Sequence, residues 1–171
     1  MIECFSFTKK SDVVAASAAD LFIALNFEQR QKSRAQALAD SGEKIGWFLE
    51  RGHVLSDGDI LIGRTGETVR VSAALESLSE VRCEDHLLLT RIAYHLGNRH
   101  VPLQIEKNVL RFQHDHVLDD MVRGLGSEVV CVEKPFSPES GAYHGHGEKN
   151  QAANSHSSHS HHHGEHEHVH R

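Results

Sequence analysis

The sequence is poor in cysteine, with three among its 171 residues. Cys4, Cys83 and Cys131 lie far apart, are odd in number and form no C-x-x-C pair. This distribution predicts neither a disulfide framework nor a zinc site built from thiolates.

Long apolar runs, a basic charge excess and catalytic motifs are also missing. No stretch is long enough to span a bilayer, and the first residues lack the basic-then-apolar order of a signal peptide, so we expect a cytoplasmic protein without membrane association. The formal net charge of -6 argues against a nucleic-acid partner. Neither G-x-x-x-x-G-K-[ST] nor H-E-x-x-H occurs, so we expect no enzyme.

Histidine, in contrast, is abundant, and ten of the 16 histidines follow Gly141. Imidazole is a good ligand for nickel, copper and zinc. His100 lies where a predicted helix meets a predicted strand, and His114 and His116 form a close pair. Together with the histidine-rich end of the chain, these features favour metal handling over catalysis.

Residues 1–75 are predicted to form a small β domain. Apolar residues alternate over residues 21–27 and 45–49, and short apolar runs at 60–62 and 69–71 follow glycine turns. Several short strands separated by such turns favour a compact barrel or sandwich. The basic, polar residues 29–34 are interpreted as a solvated hairpin connection or as a contact surface for a partner protein.

Residues 76–135 combine strand and helix signals. Apolar residues recur at helical spacing over residues 88–96 and 118–125, and Gly97 and Gly126 suit the left-handed residue that ends a helix. The predicted strands cover residues 79–83, 101–105, 109–112 and 129–132. The resulting β-α-β-β-α-β order is ferredoxin-like, so the predicted fold class is α+β. Because each domain is small, oligomerisation would help to stabilise it.

Residues 136–171 are predicted to be a flexible, metal-binding tail, because Ser, Gly, His and Glu offer too little apolar surface to offset the entropy of ordering. Many imidazoles on a flexible chain raise the local ligand concentration, so several ions can bind and exchange. A purification tag or a solubilising tail with incidental metal affinity are the alternatives. The candidate ligands in the tail are His144, His146, His156, His159, His161, His162, His163, His166, His168 and His170.

His100 is the central candidate ligand. A single imidazole is a weak metal site, but near a two-fold axis the same residue of two subunits supplies two ligands. An incompletely filled shell of this kind suits transfer, whereas a closed tetrahedral site suits permanent structural binding. The alternative is that His100 caps the junction between helix and strand by hydrogen bonding.

His114 and His116 are two residues apart, so in an extended chain both rings project to one side and can reach one ion. The geometry would be poorer at the start of a helix. The alternative is an exposed pair on either side of Asp115, which would act as a helix cap. His95 falls on the apolar face of its predicted helix and is interpreted as a packed, hydrogen-bonded core residue.

Two stretches of the sequence resemble the signature stretches of the UreE family of urease accessory proteins, which are nickel metallochaperones. They are Ala-Tyr-His-Leu-Gly-Asn-Arg-His-Val-Pro-Leu-Gln-Ile at residues 93–105 and His-Asp-His-Val-Leu-Asp-Asp-Met at residues 114–121. The resemblance extends more weakly over the β domain and ends in a histidine-rich tail of a kind that many members carry.

The resemblance implies a homodimer that pairs through its ferredoxin-like domains. It also implies a shared nickel ion at His100, secondary metal contacts at His114 and His116, and delivery of nickel to apo-urease with the urease accessory GTPase complex. Zinc and copper remain possible ions, since imidazole accepts all three. Residues 1–75 would dock a partner. The rival hypothesis is a metal storage or detoxification protein that uses the same tail, and a metal-dependent enzyme is a third option.

Overall fold

The computed structural model of the protein describes residues 1–12 and 19–140, and these residues contain ten β-strands and three α-helices. The strands are β1 (Ile2–Thr8), β2 (Leu21–Leu25), β3 (Arg34–Leu38), β4 (Lys44–Phe48), β5 (Ile60–Gly63), β6 (Thr68–Ala73), β7 (Leu75–Arg82), β8 (Gln104–Glu106), β9 (Val109–Gln113) and β10 (Val130–Pro135). The helices are α1 (Phe27–Arg30), α2 (His86–Gly97) and α3 (His116–Gly124). None of the helices in these two ranges is long and apolar enough to cross a membrane.

The first six strands form one mixed sheet in the order β2-β6-β5-β1-β4-β3. Strands β1 and β4 are parallel, as are β2 and β6, and the other neighbours are antiparallel. The sheet curves so that its two edge strands, β2 and β3, approach each other. The backbone N–H of Asp40, which follows β3, donates to the carbonyl of Phe22 in β2 at 3.0 Å. The enclosed core includes Ile23, Trp47 and Val71. The single curved sheet agrees with the barrel rather than with the sandwich.

The strands predicted from the sequence agree only in part with the strands of this sheet. β2, β4, β5 and β6 are found where alternation or apolar runs predict them, but the prediction for Phe27 is wrong. Phe27 starts α1, because the Asn26 side chain accepts from the Gln29 backbone N–H and the Gln29 side chain accepts from that of Asn26. This reciprocal pair is a capping box, which ends β2 at Leu25 and starts a helix.

The interpretation of residues 29–34 as a solvated connection is wrong at Arg30, whose exposed fraction is 2%. Its guanidinium donates to the carbonyls of Leu25 at 3.3 Å and Leu55 at 3.2 Å, and also to that of Phe136. Phe136, the first residue of the predicted tail, is fully buried and packs edge-on against Phe27. Arg30 therefore ties the chain after β10 to the first sheet.

The remaining strands form an antiparallel sheet in the order β10-β7-β9-β8. The elements from β7 to β10 follow one another as β-α-β-β-α-β, which is the order that the sequence predicts. Apolar residues of α2 and α3, such as Ile92 and Val122, share one core with Val81 and Phe112 of the sheet. Residues 1–12 and 19–140 contain two sheets with few helices, which is an α+β arrangement. Only Ala74 separates β6 from β7, and a division into domains at residue 75 stays a prediction.

Candidate metal site

His100 lies at the end of α2 in a left-handed backbone conformation, with a φ of 56°. Its backbone N–H donates to the carbonyl of Gly97 at 2.9 Å, and that of Val101 donates to the carbonyl of Leu96 at 3.3 Å. These two bonds define a Schellman motif in which His100 is the left-handed residue. Val101 and Leu96 also pack in the same core cluster, as such motifs commonly do.

Glycine usually occupies this left-handed position, and the prediction that Gly97 occupies it in α2 is wrong. Gly97 is the last residue of the helix, and its φ is not positive. α3 ends in the same motif with a glycine, Gly126, whose φ is 100°. A side chain in this conformation costs about 1–2 kcal/mol. α2 therefore carries a histidine where local conformational preference favours glycine.

The His100 side chain is exposed, and its ring has no hydrogen-bond partner among the described residues. The junction between α2 and β8 is closed by backbone groups, so ring capping by His100 does not occur within the described chain. Both ring nitrogens are open to an external ligand. A single exposed ring supplies one coordination position and leaves the others to another chain or to solvent.

His114 follows β9 and is held against the second sheet. Its backbone N–H donates to the carbonyl of Ser77 at 3.1 Å, and its Nδ1 lies 3.1 Å from Oγ of Ser79 and 3.4 Å from Oδ2 of Asp119. The Ser79 hydroxyl donates to Oδ1 of Asp119. The ring is thus oriented by two polar side chains, while 41% of the His114 side chain remains exposed.

Ser79, His114 and Asp119 are the residue types of a hydrolytic triad, but their arrangement does not form a nucleophile. Ser79 is fully buried, and its hydroxyl proton points at the carboxylate of Asp119 rather than at a base. Arg123 lies on the same helix as Asp119, with Nη2 3.7 Å from Oδ2 of Asp119. The cluster orients the histidine ring and balances the carboxylate charge.

His116 is exposed and is the first residue of α3, so it does not share an extended segment with His114. Asp115 caps the helix by accepting from the backbone N–H of Val117 at 2.8 Å and of Leu118 at 3.2 Å. These backbone N–H groups lower the pKa of Asp115, and the two neighbouring histidines lower it further. Asp115 therefore has the capping role given as the alternative above.

The structure does not assemble the candidate ligands into a complete site. Within residues 1–12 and 19–140, no group of three or more His, Cys, Asp or Glu side chains is placed to hold a metal ion. The interpretation of His95 as a hydrogen-bonded core residue is wrong, because His95 is only half-buried against the ring of Tyr94 and has no hydrogen bond to any described residue. The ten tail histidines named above, from His144 to His170, lie outside the described residues.

Sequence reasoning missed Ser79 and Asp119. Asp119 is only 4% exposed, and it lies three residues before Val122, which is buried on the same helix. A charged residue at a buried spacing is a signal in the sequence that its carboxylate needs a partner. Ser79 carried no comparable signal, because its role depends on the pairing of β7 with β9 and on the position of α3.

Comparison with protein-family models gives two matches that together span most of the chain. Residues 8–74 match the model described as UreE urease accessory protein, N-terminal domain. Residues 76–170 match the model described as UreE urease accessory protein, C-terminal domain. The boundary between the two matches coincides with the passage from β6 to β7.

Curated proteins named urease accessory protein UreE are similar over most of their length. The protein of Teredinibacter turnerae is 58% identical over 125 residues, which are 73% of this chain and 81% of that protein. The protein of Saccharophagus degradans is 55% identical over 125 residues, 73% of this chain and 74% of that protein. The protein of Proteus mirabilis is 47% identical over 137 residues, 80% of this chain and 85% of that protein.

Proposed function

The chain belongs to the UreE family of urease accessory proteins, which act in urease maturation, and from this premise we propose that it is a nickel metallochaperone. It binds Ni²⁺ through His100 of two subunits of a homodimer and passes the ion to apo-urease with the urease accessory GTPase complex. The ion is cargo, and no covalent chemistry is required. The protein works in the cytoplasm.

The observation that carries this proposal is the backbone of His100. A glycine there would relieve conformational strain, as Gly126 does after α3. No hydrogen bond of the His100 ring offsets this strain, since the ring has no hydrogen-bond partner among the described residues. Strain of this kind persists at sites where a side chain serves a function. An exposed imidazole at a fixed helix end serves as a metal ligand.

A homodimer would supply the second ligand. Leu87 and Tyr94, seven residues apart and thus on one side of α2, are 70% and 65% exposed. These apolar side chains lie on α2, whose closing turn contains His100. A two-fold contact that buries this side of α2 against the same side of a second copy would place the two His100 rings near the axis. The ferredoxin-like domain is then the dimerisation domain, as the family resemblance implies.

His114 and His116 act as secondary contacts for the metal, and the tail histidines collect ions and feed the central site. His114 is exposed at the end of β9 and His116 at the start of α3, so both rings are accessible to ions. Zinc and copper compete for the same imidazoles.

Residues 1–75 dock a partner, and capture of accessory proteins by residues 1–75, compared with residues 76–135, tests that assignment.

Deletion of residues 144–171 separates delivery from storage. A chaperone lacking its tail retains the tightest nickel site per dimer and some activation of apo-urease, whereas a metal store loses nearly all of its capacity and has no delivery phenotype. The companion variant His100→Ala, in the full-length chain, should impair activation more than His86→Ala, which removes an exposed histidine at the other end of α2. Equal activation by these two variants would refute the assignment of His100.

A further inference from the structure

Asp119 is a buried carboxylate whose place in the structure is not explained by helix stability. It is 4% exposed on α3, and burial of an unpaired carboxylate is costly. Its neighbour Asp120 is instead 74% exposed at the side chain and pairs with Arg123 at 2.9 Å. Asp119 is directed toward β7 and the end of β9, where it meets Ser79 and His114.

We propose that Asp119, acting with Ser79, is a positioning residue that fixes His114 with the proton on Nδ1 and leaves Nε2 as the atom that binds the metal. The inference deepens the proposed function, because it rests on His114 as a metal contact.

The hydrogen-bond pattern determines which nitrogen carries the proton. Ser79 has one hydroxyl proton, and the short contact with Oδ1 of Asp119 requires that proton, because two acceptor oxygens would repel each other. Oγ of Ser79 can then only accept from His114, whose Nδ1 is 3.1 Å away. The second oxygen of Asp119, 3.4 Å from the same nitrogen, also favours a proton there. The ring of a neutral His114 therefore has its lone pair on Nε2.

This arrangement has a direct effect on metal binding. A carboxylate that accepts a hydrogen bond from one ring nitrogen fixes the tautomer and ring orientation and raises the basicity of the other nitrogen. Here the hydrogen bond runs through the Ser79 hydroxyl, and Oδ2 of Asp119 lies near the same ring nitrogen at 3.4 Å. Neither the His100 ring nor the His116 ring has a hydrogen-bonded side chain among the described residues. His114 is thus the pre-oriented ligand of the three, while its 41% exposed side chain remains accessible.

The test uses full-length protein with ¹⁵N-labelled histidine. Long-range ¹H–¹⁵N correlation spectra of the metal-free protein at a pH where His114 is neutral should show the Nδ1–H tautomer in the wild type. Asp119→Asn places an amide donor beside Nδ1 and should shift His114 toward the Nε2–H tautomer. Ser79→Ala should give a smaller shift, because Oδ2 of Asp119 remains. Asp120→Asn is the matched control and should leave the tautomer unchanged.

Titration with Ni²⁺ then links the tautomer to binding. The nickel concentration that halves the His114 ring signal should rise about ten- to hundredfold in Asp119→Asn. It should not change in Asp120→Asn. The His114 resonance is assigned individually, so the response of this ring is followed separately from those of the other histidines.

Three results would overturn the inference. An Nε2–H tautomer in the wild type overturns it without any variant. An unchanged tautomer and unchanged nickel response in a folded Asp119→Asn leave Asp119 with a structural role only, and the proposed function survives. If Ni²⁺ does not affect the His114 ring of the wild type even at saturation, both the inference and the proposed role of His114 are wrong.

Discussion

His100 and Gly126 occupy the same position in two helix ends of one chain: each is the left-handed residue of a Schellman motif, with a φ of 56° and 100° respectively. The backbone pattern is shared, and only the side chain differs. The pair provides an internal reference for what a histidine costs at this position and for what it adds.

The stability cost of His100 can be measured against this reference. His100→Gly should raise the free energy of unfolding by up to about 1 kcal/mol, because glycine adopts positive φ without strain. Gly126→Ala should lower it by about 1 kcal/mol, and the effect comes from the backbone alone, since an added Cβ meets nothing within 4 Å. Urea denaturation in the presence of a chelator, at fixed protein concentration, measures both values. Destabilisation by His100→Gly would show that the ring has a structural partner.

Arg30 should contribute strongly to stability, because it satisfies three carbonyls in a buried position. Arg30→Met should lower the free energy of unfolding by about 3 kcal/mol, since those carbonyls lose a charged donor. Limited chymotrypsin digestion should also cut faster at Phe136. The control Arg51→Met removes an exposed arginine from a turn and should change little. Equal stability of the two variants would contradict the role given to Arg30.

Glu80 should make the fold sensitive to acid. Its burial raises its pKa, but hydrogen bonds from Lys134, Arg111 and Arg82 outweigh burial and lower the pKa from 4.5 to about 2. Because the folded-state pKa is lower than the unfolded one, the stabilisation is fully present above about pH 4.5 and is lost as the pH falls toward 2. A shift of this size corresponds to about 3 kcal/mol.

Urea denaturation between pH 2.5 and pH 7 tests this acid sensitivity. At neutral pH, Glu80→Gln should be less stable than the wild type by about 3 kcal/mol, because Lys134, Arg111 and Arg82 lose the buried carboxylate that they share. Arg111 then keeps only its ion pair with Glu106. The difference should shrink below pH 4.5. Glu128→Gln, at an exposed position, should follow the wild type. A difference that is constant with pH would contradict the assignment.

The sequence predicted the elements whose signals are local. Periodic apolar residues located α2 and α3, and short apolar runs located β5 and β6. β3 was missed because the alternation in its sequence, Arg-Ala-Gln-Ala-Leu, places only two small alanines on the core face, and because its conformation depends on pairing with β4. β1 was missed because apolar side chains project from both of its faces, which obscures the alternation.

The candidate site was predicted as residue types but not as geometry. His100 was singled out at its junction, but the position of the left-handed residue was not predicted. Glycine at 97 is the stronger local signal, whereas the turn that closes α2 continues to His100, three residues after the helix ends. Arg30 and Asp119 each have a buried partner that is distant in sequence, Phe136 for Arg30 and Ser79 for Asp119. The spacing of Asp119 on α3 signals its burial, but neither long-range contact has a local signal.

Isothermal titration of full-length protein with Ni²⁺ tests most directly whether two His100 rings share one ion. The tightest binding event should be one Ni²⁺ per two chains. His86→Ala should retain this event, and His100→Ala should remove it while sedimentation still shows a dimer. A first event that is unchanged in His100→Ala, or that saturates at one ion for every chain, would contradict the shared site.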